Sequence, residues 1–296
     1  MTLKKTLALA MLLCITLGAQ AQLLWKISGN GLERPSYIMG THHLAPFSIT
    51  DSIAALDEAI RQTTQVYGEI VMDDTTQPEM LAKMQQAMML PQGTMLKSLY
   101  TPAQYDTLAA VVKSNIGLDL AQLDPLKPAA LSAQLAVVLT MKALKGFDPQ
   151  QQLDTWFQAE ARKAGKKVGA LETIEHQIEV LYNSQPVARQ AKQLYCTATH
   201  LEQGIEQTQR LSQAYMAQDL DALLAIMEEK MNNECDSTPE EEEALIFGRN
   251  ADWAKQMPAI MQQAPTLFVV GAGHLPSKRG VLSLLRAQGY TVEAAR

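Results

Sequence analysis

The sequence predicts an α/β fold: a mixed or parallel sheet assembled from both ends of the chain, with a large helical insert in the middle. Two observations carry this. Short β-rich runs stand near the two ends, at Leu23–Ile27, Tyr37–Met39, Gln65–Met72, Leu267–Val270 and Tyr290–Val292. Between Gln77 and about Met261, apolar residues recur at three- and four-residue spacing, as in Leu131–Leu144 and Leu220–Met231, which is the period of a helix with one buried face. A sixth run, Lys167–Leu171, interrupts the helical middle just after the amphipathic stretch Leu153–Ala164. Strands alternating with helices favour a sheet with helical cover.

The chain opens with Lys4 and Lys5, an apolar run from Leu7 to Leu17, and Ala19-Gln20-Ala21 before Gln22. This reads as a secretory signal peptide over residues 1–21, because the apolar run is too short to span a membrane. Leu13 before Cys14 argues against lipid attachment, so no stable membrane anchor is expected. The expected product is an exported protein, periplasmic or secreted, of residues 22–296. Cleavage removes two lysines and no acid, leaving 23 basic against 31 acidic residues and a net charge of about −8. That balance, with no basic stripe, argues against a nucleic-acid partner. Cys196 and Cys235 remain, and an oxidising compartment allows a disulfide or two buried thiols.

Pro91, Pro125, Pro128 and Pro149 divide an insert of about 77–150 into short helices, and a second helical segment covers about 186–261. Ser237, Thr238, Pro239 and Glu240–Glu243 have the composition of a cation site, but a hydroxyl cap, a first-turn proline and dipole-stabilised acids explain them as a helix start. Methionines 80, 84, 88, 89 and 95 are read as helix core rather than as an apolar substrate groove.

The segments Tyr37-Ile38-Met39-Gly40-Thr41-His42-His43-Leu44 and Phe268-Val269-Val270-Gly271-Ala272-Gly273-His274-Leu275 share one template: strand, glycine, two residues, histidine, leucine. Each has a proline shortly after, Pro46 and Pro276. Glycine permits a sharp turn and the close approach of another backbone. Histidine then falls on the loop at the carboxyl end of its strand, the edge where α/β sheets bind ligands, so His43 and His274 are expected to converge. Glu69 stands in an otherwise strand-like run, where a carboxylate must be paired, solvated or liganded. Glu172 follows the Val168–Leu171 run, and Thr173 can cap the next helix. Arg249 and Asn250 fall on the helix that ends with Trp253 and Met257. Arg249 suits an anion or a developing negative charge, unless it simply lies over Trp253 at the surface; Asn250 suits ligand orientation.

Taken together, Leu-Trp-Lys-Ile ahead of the first histidine motif, Leu171-Glu172-Thr173 with Gln177, Arg249-Asn250-x-x-Trp253, and Val-Gly-Ala-Gly-His-Leu resemble the TraB/GumN family, which includes the Tiki proteases. The resemblance covers nearly all of residues 22–296. It implies an α/β fold related to erythromycin esterases, with a site made of the two Gly-x-x-His motifs and an acidic residue. By position, His43, His274 and Glu69 match the family's histidines and strand glutamate, while Glu172 and Arg249 match further motif positions. Tiki members are described as metal-dependent proteases, and many bacterial members have no assigned activity. The family usually has glycine where this chain has Ser277.

Two imidazoles and carboxylates suit a divalent ion such as manganese, cobalt or zinc. The favoured expectation is a metal-dependent hydrolase of peptide or protein substrates, with His43, His274 and Glu69 as ligands. Glu172 would serve as base or support, Arg249 would face the carbonyl charge, and Asn250 would orient the ligand. The alternatives are a metal-free, esterase-like hydrolase with a histidine base, and a non-catalytic peptide or protein binder. No His-Glu-x-x-His helix, Gly-x-Ser-x-Gly elbow or phosphate loop is present.

Overall fold

The computed structural model describes residues 22–43, 45–144 and 151–296; the expected signal peptide and the break at Pro149 lie outside the described residues. Six strands form one sheet: β1 (Leu24–Ser28), β2 (Ser36–Thr41), β3 (Gln65–Gly68), β4 (Lys167–Ala170), β5 (Thr266–Gly271) and β6 (Thr291–Ala294). Their order is β4-β3-β5-β2-β1-β6. The four strands β4, β3, β5 and β2 are mutually parallel, and β1 pairs antiparallel with both β2 and β6. The sheet is therefore mixed, as expected, with its parallel part on the side that carries every candidate site residue. Leu267, Phe268, Val269 and Val270 of β5 are all fully buried, the apolar run of a central strand covered on both faces.

One core joins the sheet to the helices around it, three of which bear on the site. Phe157 and Ala161 come from Leu153–Lys163, Trp253, Met257 and Met261 from Gly248–Gln263, and Leu282 and Leu285 from Val281–Ala287. A second core lies in the helical middle, where Leu108, Val112, Leu120 and Leu131 pack with Leu194 and Ala198. Cys196 and Cys235 form a disulfide with a Cα–Cα distance of 5.6 Å across a sequence separation of 39, settling the pairing question. Replacing both by serine is expected to cost roughly 2–4 kcal/mol of unfolding free energy, read as a lowered denaturation midpoint.

Three local expectations need correction. The β3 run was expected to reach Met72, but the strand ends at Gly68 because Gln158 claims the next backbone groups: its Nε2 donates to Ile70 O at 2.8 Å and its Oε1 accepts Met72 N at 2.9 Å. Glu69 thus stands just past the strand. The helix carrying Arg249 runs on through Pro258 to Gln263, beyond Met257. Pro258 cannot donate to Ala254 O, and Gln288 Nε2 donates to that carbonyl instead, at 3.0 Å. The methionines are not helix core: the helix Pro78–Ala87 buries no residue, and Met89 and Met95 are exposed. That helix lies on the rim, joined to the Ile174–Tyr182 helix through Lys83 and Glu175. The acidic run behaves as read: Thr238 caps, Pro239 opens the helix, and Thr238 and Glu241 form a capping box.

Candidate functional site

The four parallel strands deliver one candidate residue each to the same edge: His43 follows β2, Glu69 follows β3, Glu172 follows β4, and His274 follows β5. This is the ligand-binding edge of an open parallel sheet, and residues far apart in sequence meet there because parallel strands all end on it. The motif glycines serve close approach rather than a left-handed turn, since neither Gly40 nor Gly271 has positive φ. A Cβ on Gly40 would lie 2.8 Å from Leu275 Cδ1 and 3.1 Å from Ala272 Cα, so the first motif packs directly on the second. A Cβ on Gly271 would lie 3.2 Å from Glu69 Oε1, whose position is fixed by Gly271 N donating at 2.8 Å. The Gly40→Ala variant is expected to lose about 1–3 kcal/mol by overpacking, measurable as a fall in thermal midpoint. Ser277 adopts φ +82°, the left-handed region that favours glycine.

Arg249 is the centre of a buried cluster. A π-helical turn, Glu243–Phe247, precedes it, and Gly248 fits there because a Cβ would lie 2.9 Å from Glu243 O. The guanidinium has five N–H groups, and all five have acceptors. Nε donates to Glu172 Oε2 at 3.0 Å. Nη2 donates to Glu172 Oε1 and Glu69 Oε2, both at 2.6 Å. Nη1 donates to Leu245 O at 3.0 Å and to His274 Nε2 at 3.1 Å. Gln177 Nε2 bridges the same carboxylates, 3.2 Å from Glu69 Oε2 and 3.1 Å from Glu172 Oε1. Arg249 also lies 4.8 Å over the Trp253 ring. It is buried, not a surface residue.

His274 is equally committed. Asn250 Nδ2 donates to Arg279 O at 3.0 Å, which turns Asn250 Oδ1 toward His274 Nδ1 at 2.7 Å. Nδ1 therefore carries the proton, and Nε2 accepts from Arg249. Burial, joined by Arg249's charge, pulls the His274 pKa down to about 4. Burial alone would raise Glu69; the charge of Arg249 and the Gly271 N–H outweigh it and hold the carboxyl below its ordinary value.

His43 stands outside this cluster. Its ring is 60% exposed, and Nδ1 is 2.9 Å from Oδ2 of Asp154, which is itself buried and accepts Thr41 Oγ1 at 2.9 Å on its other oxygen. The Asp154 hydrogen bond raises the His43 pKa to about 9 against the opposing effect of burial. Neighbouring His42 is pushed by burial and by His43 down to about 4. The structure thus gathers Glu69, Glu172, Arg249, Asn250 and His274 into one bonded unit and presents His43 beside it.

Asp154 is the residue that the sequence reading missed. Its signal was there: Leu153, Asp154, Phe157, Gln158 and Ala161 form the buried stripe of their helix, so an acid and an amide sit at core positions. Arg249 corrects an expected role, since no N–H remains to face a carbonyl oxygen.

A divalent ion would need lone pairs from His43, His274 and Glu69. The donor types suit it, yet His274 Nε2 accepts from Arg249, and its distance to Glu69 Oε1 is 3.9 Å. Among the described residues no group of three His, Cys, Asp or Glu side chains is arranged to hold an ion. The orphaned side-chain atom of the cluster, Trp253 Nε1, is a donor and calls for an acceptor rather than a cation. In this arrangement the residues do not fit a metal ion.

The chain is 25% identical over 91% of its length to Metalloprotease TIKI2 of Danio rerio and 27% identical over 92% to Metalloprotease TIKI1 of Homo sapiens. It spans 60% and 61% of those relatives' lengths. Metalloprotease TIKI1 of Xenopus tropicalis is 26% identical over 91% of the chain and 60% of its own length. No solved structure matches. The TraB/PrgY/gumN family matches residues 23–294, and the chain belongs to that family.

Proposed function

We propose that the chain is an exported hydrolase of peptide or related acyl bonds, with His43 as general base and Asp154 as the group that holds its tautomer. The observation that carries this is the contrast between the histidines: both nitrogens of His274 are committed inside the buried cluster, whereas His43 has its Nδ1 anchored on Asp154 and a ring that is largely exposed. The names of the relatives support peptide cleavage as the reaction class. Export rests on residues 1–21 and on the disulfide. No described helix is long and apolar enough to cross a membrane.

In this reading His43 Nε2 takes a proton from water as the water oxygen attacks the carbonyl carbon. The tetrahedral adduct then collapses, the C–N bond breaks, and the same proton passes from Nε2 to the departing amine. Asp154 keeps the proton on Nδ1, so Nε2 offers its lone pair to the water. Glu69, Glu172, Arg249, Asn250 and His274 form the rigid floor of the site.

The relatives' names also carry a second reading, a metal-dependent one. Manganese, cobalt or zinc would draw on His43, His274 and Glu69. A peptide binder without turnover is the third.

The pH–rate profile tests the first reading. The base form of His43 is the active one, and its pKa is raised to about 9, so kcat/KM is expected to climb from pH 6 toward that value. Asp154→Asn removes the cause of the shift and moves the rising limb down toward the ordinary histidine value of about 6.5. A limb that does not move in Asp154→Asn contradicts the assignment.

A further inference from the structure

We propose that the Arg249 guanidinium is the resident cation of this site, standing between His274 and Glu69 where a divalent ion would otherwise sit, so that the folded protein holds no divalent ion there. This inference rests on the bonding of the cluster and not on the hydrolase reading.

The bonding accounts for both sides. On the donor side, all five guanidinium N–H groups are used, on Glu172, Glu69, His274 and Leu245 O. On the acceptor side, the His274 lone pair is on Nε2 because Asn250, pinned by Arg279 O, accepts from Nδ1. That lone pair faces Arg249. Both oxygens of Glu69 also accept: Oε1 from Gly271 N, and Oε2 from Arg249 and Gln177. An ion would have to displace a guanidinium that stays charged at any workable pH, or bind beside it against like charge.

The guanidinium is also not a mobile finger. Its central carbon lies 4.8 Å from the centre of the Trp253 ring, and the π-helical turn before Gly248 sets Leu245 O within reach of Nη1. The two histidine motifs therefore divide their work: His274 is a positioning residue for Arg249, and His43 is left to face solvent and substrate.

The test is calorimetric titration of the mature protein with zinc, manganese and cobalt, beside thermal melts in each ion and in chelator. Wild type is expected to show no binding that depends on Glu69 or His274, and one melting midpoint throughout. Arg249→Met leaves Glu69, Glu172 and His274 around an emptied position, and it is expected to gain a one-ion binding isotherm that wild type lacks. Adding Glu69→Gln to that variant should abolish the binding. One ion held tightly by wild type and released by His274→Ala overturns the proposal, whether or not Arg249→Met folds. Failure of the hydrolase reading would look different: no peptide cut by wild type with any ion or with none, which leaves these titrations unchanged.

Discussion

Changing His43 to alanine is expected to lower kcat/KM roughly 10²–10⁴-fold, the range for loss of a positioned general base, while lowering the unfolding midpoint less than His274→Ala does. The split between activity and stability follows from placement. The His43 ring is 60% exposed, so its removal opens no large cavity, and Asp154 loses one partner but keeps Thr41. His274→Ala should show the converse. It strips Asn250 and Arg249 of a partner inside the buried cluster, so it lowers stability by a few kcal/mol as well as any activity. Asp154→Asn should approach the His43→Ala defect, because the buried carboxylate that accepts the Nδ1 proton is gone. Parallel urea melts and steady-state rates on the three variants separate these roles. Equal stability losses in His43→Ala and His274→Ala would contradict the division.

Arg249→Ala is expected to have the largest effect on stability, a loss of about 3–5 kcal/mol at neutral pH, because two buried carboxylates lose their counter-charge together. The loss should depend on pH with a definite sign. In the wild type Glu69 is held below its ordinary value, so it contributes stability above the unfolded carboxylate pKa, and this contribution fades as pH falls through the folded one. Without Arg249 that contribution is absent, and the variant's deficit should narrow as the medium is acidified below about pH 4.5. Adding Glu172→Gln to Arg249→Ala should recover part of the loss by removing one of the unpaired charges. Denaturation midpoints at pH 7 and pH 4 check both statements; a deficit unchanged between them would mean that the ion pairs contribute little.

Much of this site was legible in the sequence for a topological reason. Parallel strands end on one edge, so residues placed just after Thr41, Gly68, Ala170 and Gly271 had to gather once the strands were recognised as parallel. The cap at Thr173 and the capping box at Thr238 were legible because their bonds are local. What was not legible depends on long-range claims to backbone and side-chain atoms. Gln158 ends β3 from 90 positions away, and Gln288 allows a helix to pass Pro258. Arg249 looked free to meet a carbonyl because its five acceptors are spread from Glu69 to His274. The two histidine motifs looked equivalent, and only their partners, Asp154 for one and Asn250 with Arg249 for the other, make them differ.

The most direct measurement is cleavage of a peptide library by the mature protein, read by mass spectrometry, with His43→Ala run beside it in buffer, in chelator, and in zinc, manganese and cobalt. The account predicts cut peptides with wild type, in chelator as in buffer, and at least a hundredfold fewer with His43→Ala. Cleavage undiminished in His43→Ala, or none by wild type under any of these conditions, would contradict it.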